Sequence, residues 1–319
     1  MSNSPPAEPA VPPRMHRPWR KWLIVLVALA ALGFIAWETF VFSPEVRIAC
    51  VKALGLLGPR ALHLVHGFLH DKDGQVELAA TEMLVEADAE AVPTLQEGLA
   101  QAEPERRIQD VGLLQRIGPA ASAATPRLIE LAGSDPEPLV RERAIGALAI
   151  IGPEDPGAHK ALGEGLQDAT ASVRRAAARA LGDLGPKTRN AIPALAKCLR
   201  DDADREVRFT VTVALGKIGP DERAVVALVE ALHDDPDPGV RAEAAESLGT
   251  FGPEAKDAVL PLAQGLKDAN ERVRQESAEA LGKIGPGARA AIPHLRQALH
   301  DPVRRVAREA RDALERIGD

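Results

Sequence analysis

His63, His66 and His70 stand at i, i+3 and i+7 with Asp71 beside the last. A stripe of that kind on one helix face could hold a divalent metal. The slot of His70 favours a simpler role. In the corresponding place other stretches put Arg200, His233, Lys267 and His300, basic residues that suit a helix C-terminus. No metal is therefore assigned to the three histidines.

A second pattern resembles acid–base machinery. Asp precedes Arg by six residues at Asp135 and Arg141, Asp168 and Arg174, Asp202 and Arg208, Asp235 and Arg241, and Asp268 and Arg274. An active site is needed once, whereas a contact joining repeated units is needed at every junction. The spacing predicts that each Asp caps the following helix and pairs in bidentate fashion with the Arg six residues on. A third pattern is a register reading Glu97, Glu130, Glu164, Lys197, Glu230, Gln264 and Gln297. It suits a solvated face, or a groove for a basic segment of a partner. Cys50 and Cys198 fit no metal or redox spacing and read as small apolar residues. No nucleophile–His–acid arrangement follows from the spacing. The expected catalytic, cofactor-binding and metal-binding sets are empty.

The elements that position these residues must be thin. Of 319 residues 45% are apolar but only 3% are aromatic, with no Tyr. All three Trp (Trp19, Trp22, Trp37) precede residue 38. A broad interior usually needs large side chains; a stack of Ala, Leu, Val and Ile does not. Residues 1–37 carry a net +3, and removing that from the total of −7 leaves −10 on residues 38–319. An acidic body without clustered Lys and Arg argues against nucleic acid as a partner.

The first 21 residues begin with a Pro-rich stretch and end on Arg14, Arg17, Arg20 and Lys21. They read as a disordered, basic, cytoplasmic tail. Residues 22–42, WLIVLVALAALGFIAWETFVF, are long enough for a transmembrane helix and lack a good cleavage site. The basic flank then predicts a single-pass protein of a bacterial inner membrane, N-terminus cytoplasmic and repeats extracytoplasmic. Ser43, Pro44 and Glu45 read as the cap and first turn of the next helix.

From Val46 the sequence copies itself. Units start at Val46, Val76, Ile108, Val140, Val173, Val207, Val240 and Val273, with a half unit from Val306. A period in this range without strand signals means stacked helical hairpins. In each unit a first helix carries apolar positions such as Val173, Ala177, Ala180, Leu181 and Leu184. A Gly-Pro pair breaks it, at 185–186, 219–220, 252–253 and 285–286; Gly takes the left-handed position and Pro opens the second helix. The second helix buries a Leu pair, such as Leu195 and Leu199. Small residues beside it (Gly98, Gly165, Cys198, Ala231, Gly265, Ala298) let neighbouring helices approach. In the second unit Glu86-Ala87-Asp88-Ala89 replaces the Gly-Pro turn. The last stretch, VRRVAREARDALERIGD, reads as a capping helix with a polar outer face.

These units resemble HEAT repeats, in particular the short subclass found in phycobilisome lyases, through the pattern VRxxAxxALGxIGP. The resemblance is strong over 140–319 and recognisable from Val46. It implies an all-α solenoid of about eight hairpins in a right-handed superhelix, with second helices lining the concave side and a role in protein–protein assembly. Enzymes of this architecture offer little support for catalysis. The chain has no His-Glu dipeptide of the kind from which deoxyhypusine hydroxylase builds its di-iron site, and it lacks the basic, aromatic groove of HEAT-like DNA glycosylases. The expectation is a non-catalytic, membrane-anchored scaffold over residues 43–319 that binds a protein partner, with an accessory subunit, lyase-type or metal-handling factor as the alternative.

Overall fold

The computed structural model describes residues 43–318. Among the described residues there are seventeen α-helices and no strand, so the all-α repeat solenoid is upheld. The transmembrane helix included in that expectation is not. No helix among the described residues is long and apolar enough to cross a membrane. The tail at 1–21 and the segment at 22–42 lie outside the described residues. The inner-membrane, single-pass localisation rested on that helix and is withdrawn with it.

The chain divides into two compact units, Met1–Thr94 and Leu95–Asp319. In the first, α1 (Pro44–Gly55) opens at Ser43, as its Ser-Pro-Glu start predicts. It packs on α3 (Gly74–Glu86), with α2 (Leu62–His66) and a 3-10 turn, Gly67–His70, between them in sequence. Val51, Leu54, Leu62, Val65, Val76, Ala80 and Leu84 fill this core. Asp73 caps α3 by accepting the Gln75 N–H at 2.9 Å. Arg47 pairs with Asp71 at 3.1 Å.

The missing Gly-Pro turn is visible here. Asp88 holds a positive φ of 52°, at the position where other units place glycine. An L-residue with a Cβ is strained there by roughly 1–2 kcal/mol. Asp88→Gly is expected to stabilise this unit by about 1 kcal/mol, read from its urea midpoint; an unchanged or lowered midpoint contradicts the strain.

In the second unit first and second helices alternate, following the start of α4 (Val92–Gly98). First helices are α5 (Pro104–Ile117), α7 (Pro138–Ile151), α9 (Ala171–Leu184), α11 (Arg205–Ile218), α13 (Pro238–Thr250), α15 (Glu271–Ile284) and α17 (Arg304–Ile317). Second helices are α6 (Thr125–Ser134), α8 (Pro156–Gly165), α10 (Ile192–Asp201), α12 (Glu222–Asp234), α14 (Val259–Gly265) and α16 (Ile292–Ala298). Each first helix packs on the next first helix and on the second helices beside it. The core is a layer of Val, Leu, Ile and Ala between the two rows, with Phe251 as its aromatic member in this unit. α17 buries Val306, Ala310, Ala313, Leu314 and Ile317 and exposes Arg304, Arg305, Arg308 and Arg311.

Three sequence expectations are corrected by local geometry. The third unit starts two residues earlier than Ile108, because α5 and α7 are both 14 residues long and begin on Pro104 and Pro138. Arg107, not Gln109, is therefore the counterpart of Arg141. The turn glycines do have positive φ, 74° at Gly118, 61° at Gly185, 97° at Gly219 and 71° at Gly285. Their ψ values of −141°, −136°, 179° and −139° place them in the extended mirror region instead of the left-handed helix, which only glycine enters cheaply. The proline that follows usually opens a seven-residue 3-10 segment, as at Gly185–Ala191 and Gly285–Ala291, and not the second helix itself.

Candidate functional site

The recurring Arg and Asp residues do form a ladder, but not in the pairing the spacing of six suggested. Arg107 pairs with Asp135, Arg141 with Asp168, Arg174 with Asp202, Arg208 with Asp235, Arg241 with Asp268 and Arg274 with Asp301. Each partner lies 27 or 28 residues on, in the junction after the same repeat's second helix. The pairs are bidentate: Arg174 donates from Nε and Nη2 to Asp202 at 2.6 and 2.8 Å, and Arg208 to Asp235 at 2.7 and 3.0 Å. Six residues upstream the Arg finds the backbone instead. Arg174 Nη1 donates to the Asp168 carbonyl at 2.9 Å, and Arg208 Nη1 to that of Asp202 at 2.9 Å.

The capping role is likewise displaced. Asp168 and Asp202 accept the N–H of Thr170 and Asp204, two residues on, at 2.8 and 2.9 Å. Thr170 and Asp204 are themselves the N-cap residues of α9 and α11. One guanidinium thus clamps the loop before its helix and the carboxylate of the loop after its hairpin. The hydrogen bonds from Arg141 and Arg274 hold Asp168 and Asp301 below the ordinary carboxylate range. At Asp202 and Asp268 burial pulls the other way, and the Arg and backbone N–H bonds outweigh it. This charge belongs to the framework.

Small residues set the remaining spacing. A Cβ on Gly165 would lie 3.1 Å from Ala177 Cβ, and one on Gly265 would overlap Ser277 Oγ. The second helix therefore approaches the next first helix as the small positions predicted. Cys198 takes the same slot and is buried. Burial first, then the carboxylate of Asp202, pushes its thiol up to about 12. In the folded chain Cys198 is expected to resist iodoacetamide at pH 8 and to react once urea unfolds it, because the thiolate is the nucleophile. Rapid labelling of the folded chain, followed by mass spectrometry, would contradict this.

The histidines are not brought together as a metal site. His63 and His66 lie on α2, the backbone tightens to a 3-10 turn at Gly67, and His70 ends that turn, so the i, i+3, i+7 stripe is broken. Among the described residues no group of three His, Cys, Asp or Glu is placed to hold a metal ion.

What framework duties leave over is the outward face of the second helices. Glu97, Glu130, Glu164, Lys197, Glu230, Gln264 and Gln297 are all exposed, as that register predicts. Several of the glutamates have cationic neighbours on the same surface. Arg127 pairs with Glu130 at 2.5 Å, Lys160 lies 3.7 Å from Glu164, and Arg200 reaches from α10 to Glu230 on α12 at 3.5 Å. The face is therefore less uniformly acidic than the sequence suggests. One turn earlier runs a register not anticipated from sequence: Pro126, Lys160, Pro193, Val226, Leu260 and Pro293, all exposed. Val226 is 52% and Leu260 58% exposed, at equivalent places on adjacent repeats. The signal was available, since both occupy a slot that is otherwise Pro or Lys. An open groove of about 460 Å³ runs between α10 and α12, lined by Ala196, Leu199, Arg200, Ala227, Glu230 and Asp234.

A family model described as HEAT repeats matches residues 107–175, 159–249 and 225–315. Among solved structures, an engineered protein is 24% identical with a TM-score of 0.53, covering 93% of this chain and 91% of its own. YibA of E. coli is 22% identical with a TM-score of 0.55, covering 88% of this chain and 100% of its own. The karyopherin Kap121p bound to the SUMO protease Ulp1p is 13% identical with a TM-score of 0.51, covering 93% of this chain and 41% of its own. At these identities the likeness is one of fold. No curated protein matches the chain.

Proposed function

Because this chain belongs to the HEAT-repeat family, we propose that it is a non-catalytic scaffold that binds a protein partner along the outward face of its second helices. The observation that carries this reading is the pair Val226 and Leu260, each more than half exposed at equivalent places on the second helices of adjacent repeats. Isolated surface apolar residues are ordinary; adjacent ones on a repeat face that varies from unit to unit suit recognition. The partner presents aliphatic or aromatic side chains to Val226 and Leu260 and basic residues toward Glu97. The karyopherin Kap121p, similar to this chain in fold, is itself bound to a protein, the SUMO protease Ulp1p. With no Tyr or Trp beyond Trp37, the face lacks the usual anchors, so affinity comes from many modest contacts. A lyase-type or metal-handling role has no comparable observation in its favour.

Photo-crosslinking tests this reading. A photoreactive residue at 226 or 260 of the full chain is expected to capture one discrete partner from source cells, and the same residue at Arg179, on a first helix, is not. Leu260→Asp abolishes capture from 226 while the chain stays folded by circular dichroism. Equal capture from 179, or capture insensitive to Leu260→Asp, overturns the assignment of the face.

A further inference from the structure

The first helices of the last repeats carry a feature that partner binding does not use. Glu243, Glu276 and Glu309 occupy one position on α13, α15 and α17, and each side chain is only 13% exposed. Earlier repeats place Arg143, Ala176 and Thr210 there, so the strip is confined to these helices. α13 adds Glu246 and α15 adds Glu279, one turn on. The cations are few and shared. Arg272 on α15 lies 3.7 Å from Glu246, 4.0 Å from Glu243 and 3.9 Å from Glu276. Lys283 is drawn to Glu279 at 2.9 Å, and Arg308 to Glu309 at 2.7 Å.

The other charges around α15 offer Glu276 little relief. α17 brings Asp312 alongside Glu309, while its Arg305 and Arg316 are exposed. The 3-10 segments packed on α15 carry Glu254, Lys256, Asp257 and Arg289, all exposed, and α14 has no charged residue. A carboxylate in this place is thus part-buried, has like charges from two helices, and shares one guanidinium with two others. Like charges and burial both disfavour the ionised form.

We propose that the joint between α13 and α15 is proton-operated: with Glu276 ionised the carboxylates around Arg272 repel and α15 opens locally, and a proton on Glu276 closes the joint. Burial first, then Glu246 and Glu279, pushes the Glu276 carboxyl up to about 7, against the pull of Arg272 and Lys283. Glu243 is raised as well, by burial and then by Glu246. The sign follows from linkage. A raised carboxyl pKa stabilises the closed form as pH falls through about 7, and the gain levels off near the ordinary value of 4.5. The device therefore works close to neutrality, between tightly closed below it and looser above.

Hydrogen exchange of the full chain tests this, with rates corrected for the intrinsic pH dependence of exchange. Amides of α15 are expected to be about tenfold better protected at pH 6 than at pH 8, the factor one proton gives over that range. Glu276→Gln, which keeps the shape and removes the charge, should hold the higher protection at both pH values. Arg272→Gln should move the Glu276 carboxyl resonance midpoint, followed by NMR, to higher pH. A Glu276 midpoint at 4.5, or a pH-dependent protection that survives Glu276→Gln unchanged, overturns the proposal.

Discussion

Arg208→Ala is expected to destabilise the second unit by about 3–5 kcal/mol in urea unfolding, because it strands a buried carboxylate. Arg208 and Asp235 are only 9% and 4% exposed as side chains, and the two guanidinium–carboxylate bonds measure 2.7 and 3.0 Å. The cost is not the worth of the pair itself, since two charges brought out of water nearly cancel their own attraction; it is the penalty of leaving one alone. Arg208→Lys should recover part of the loss, since an ammonium makes a point contact where the fork made two bonds.

The pairing is tested more sharply by a double-mutant cycle. Arg208→Ala with Asp235→Ala should show a coupling of roughly 1–3 kcal/mol, and Arg208→Ala with Asp202→Ala should be close to additive. The Asp202 side chain serves Arg174, and Arg208 touches only its backbone carbonyl. Strong coupling to Asp202 would restore the pairing across six residues and reject the ladder described above.

Gly182→Ala is expected to destabilise the chain, although alanine ordinarily strengthens a helix by about 1 kcal/mol over glycine. A Cβ there would sit 2.8 Å from the Ala214 Cα, a contact that can be relieved only by moving backbone. The same approach recurs at Gly249 and Gly282, whose added Cβ would lie 3.0 Å from the Cα of Ala280 and of Ala313. Overpacking of this kind costs about 1–3 kcal/mol, which outweighs the propensity gain. Gly182→Val, bulkier and branched, should cost about 3 kcal/mol or more. Gly146 is the internal control. It also lies inside a first helix, α7, but nothing stands within 4 Å of its added Cβ. Gly146→Ala should therefore stabilise by about 0.5–1 kcal/mol. Equal effects at 182 and 146 in the same denaturation assay would mean that first helices do not meet backbone to backbone.

Much of the framework was legible in the sequence because it repeats. One Gly at a turn is ambiguous; Gly118, Gly185, Gly219 and Gly285 in one register mark a backbone that needs positive φ. The same recurrence separated the Arg–Asp residues from catalysis before any geometry was known. Reading which Arg met which Asp was harder. Arg174 is six residues from Asp168 and 28 from Asp202, and sequence proximity favours the wrong one. Arg107 was missed because its unit is displaced by two residues and Gln101 stands where other junctions have Asp. The exposed pair Val226 and Leu260 was passed over because an apolar residue in a helix reads as core until its facing is known. The acidic register was seen, but not the cations that neutralise parts of it.

The sequence by itself determined the helical repeat, its period and the turn positions. It could do so because those features are local: helix propensity, a positive-φ glycine and a recurrent small residue are each decided within one repeat. Only the tertiary structure decided which aspartate an arginine reaches, how closely Gly182 meets Ala214, and which glutamates share Arg272. Those are contacts between elements about thirty residues apart in the chain, within one repeat for Arg174 and between neighbouring repeats for Gly182 and Arg272. Their energies depend on burial and distance that no residue type carries alone. The membrane assignment failed differently: it came from the composition of one segment, and among the described residues no helix bears it out.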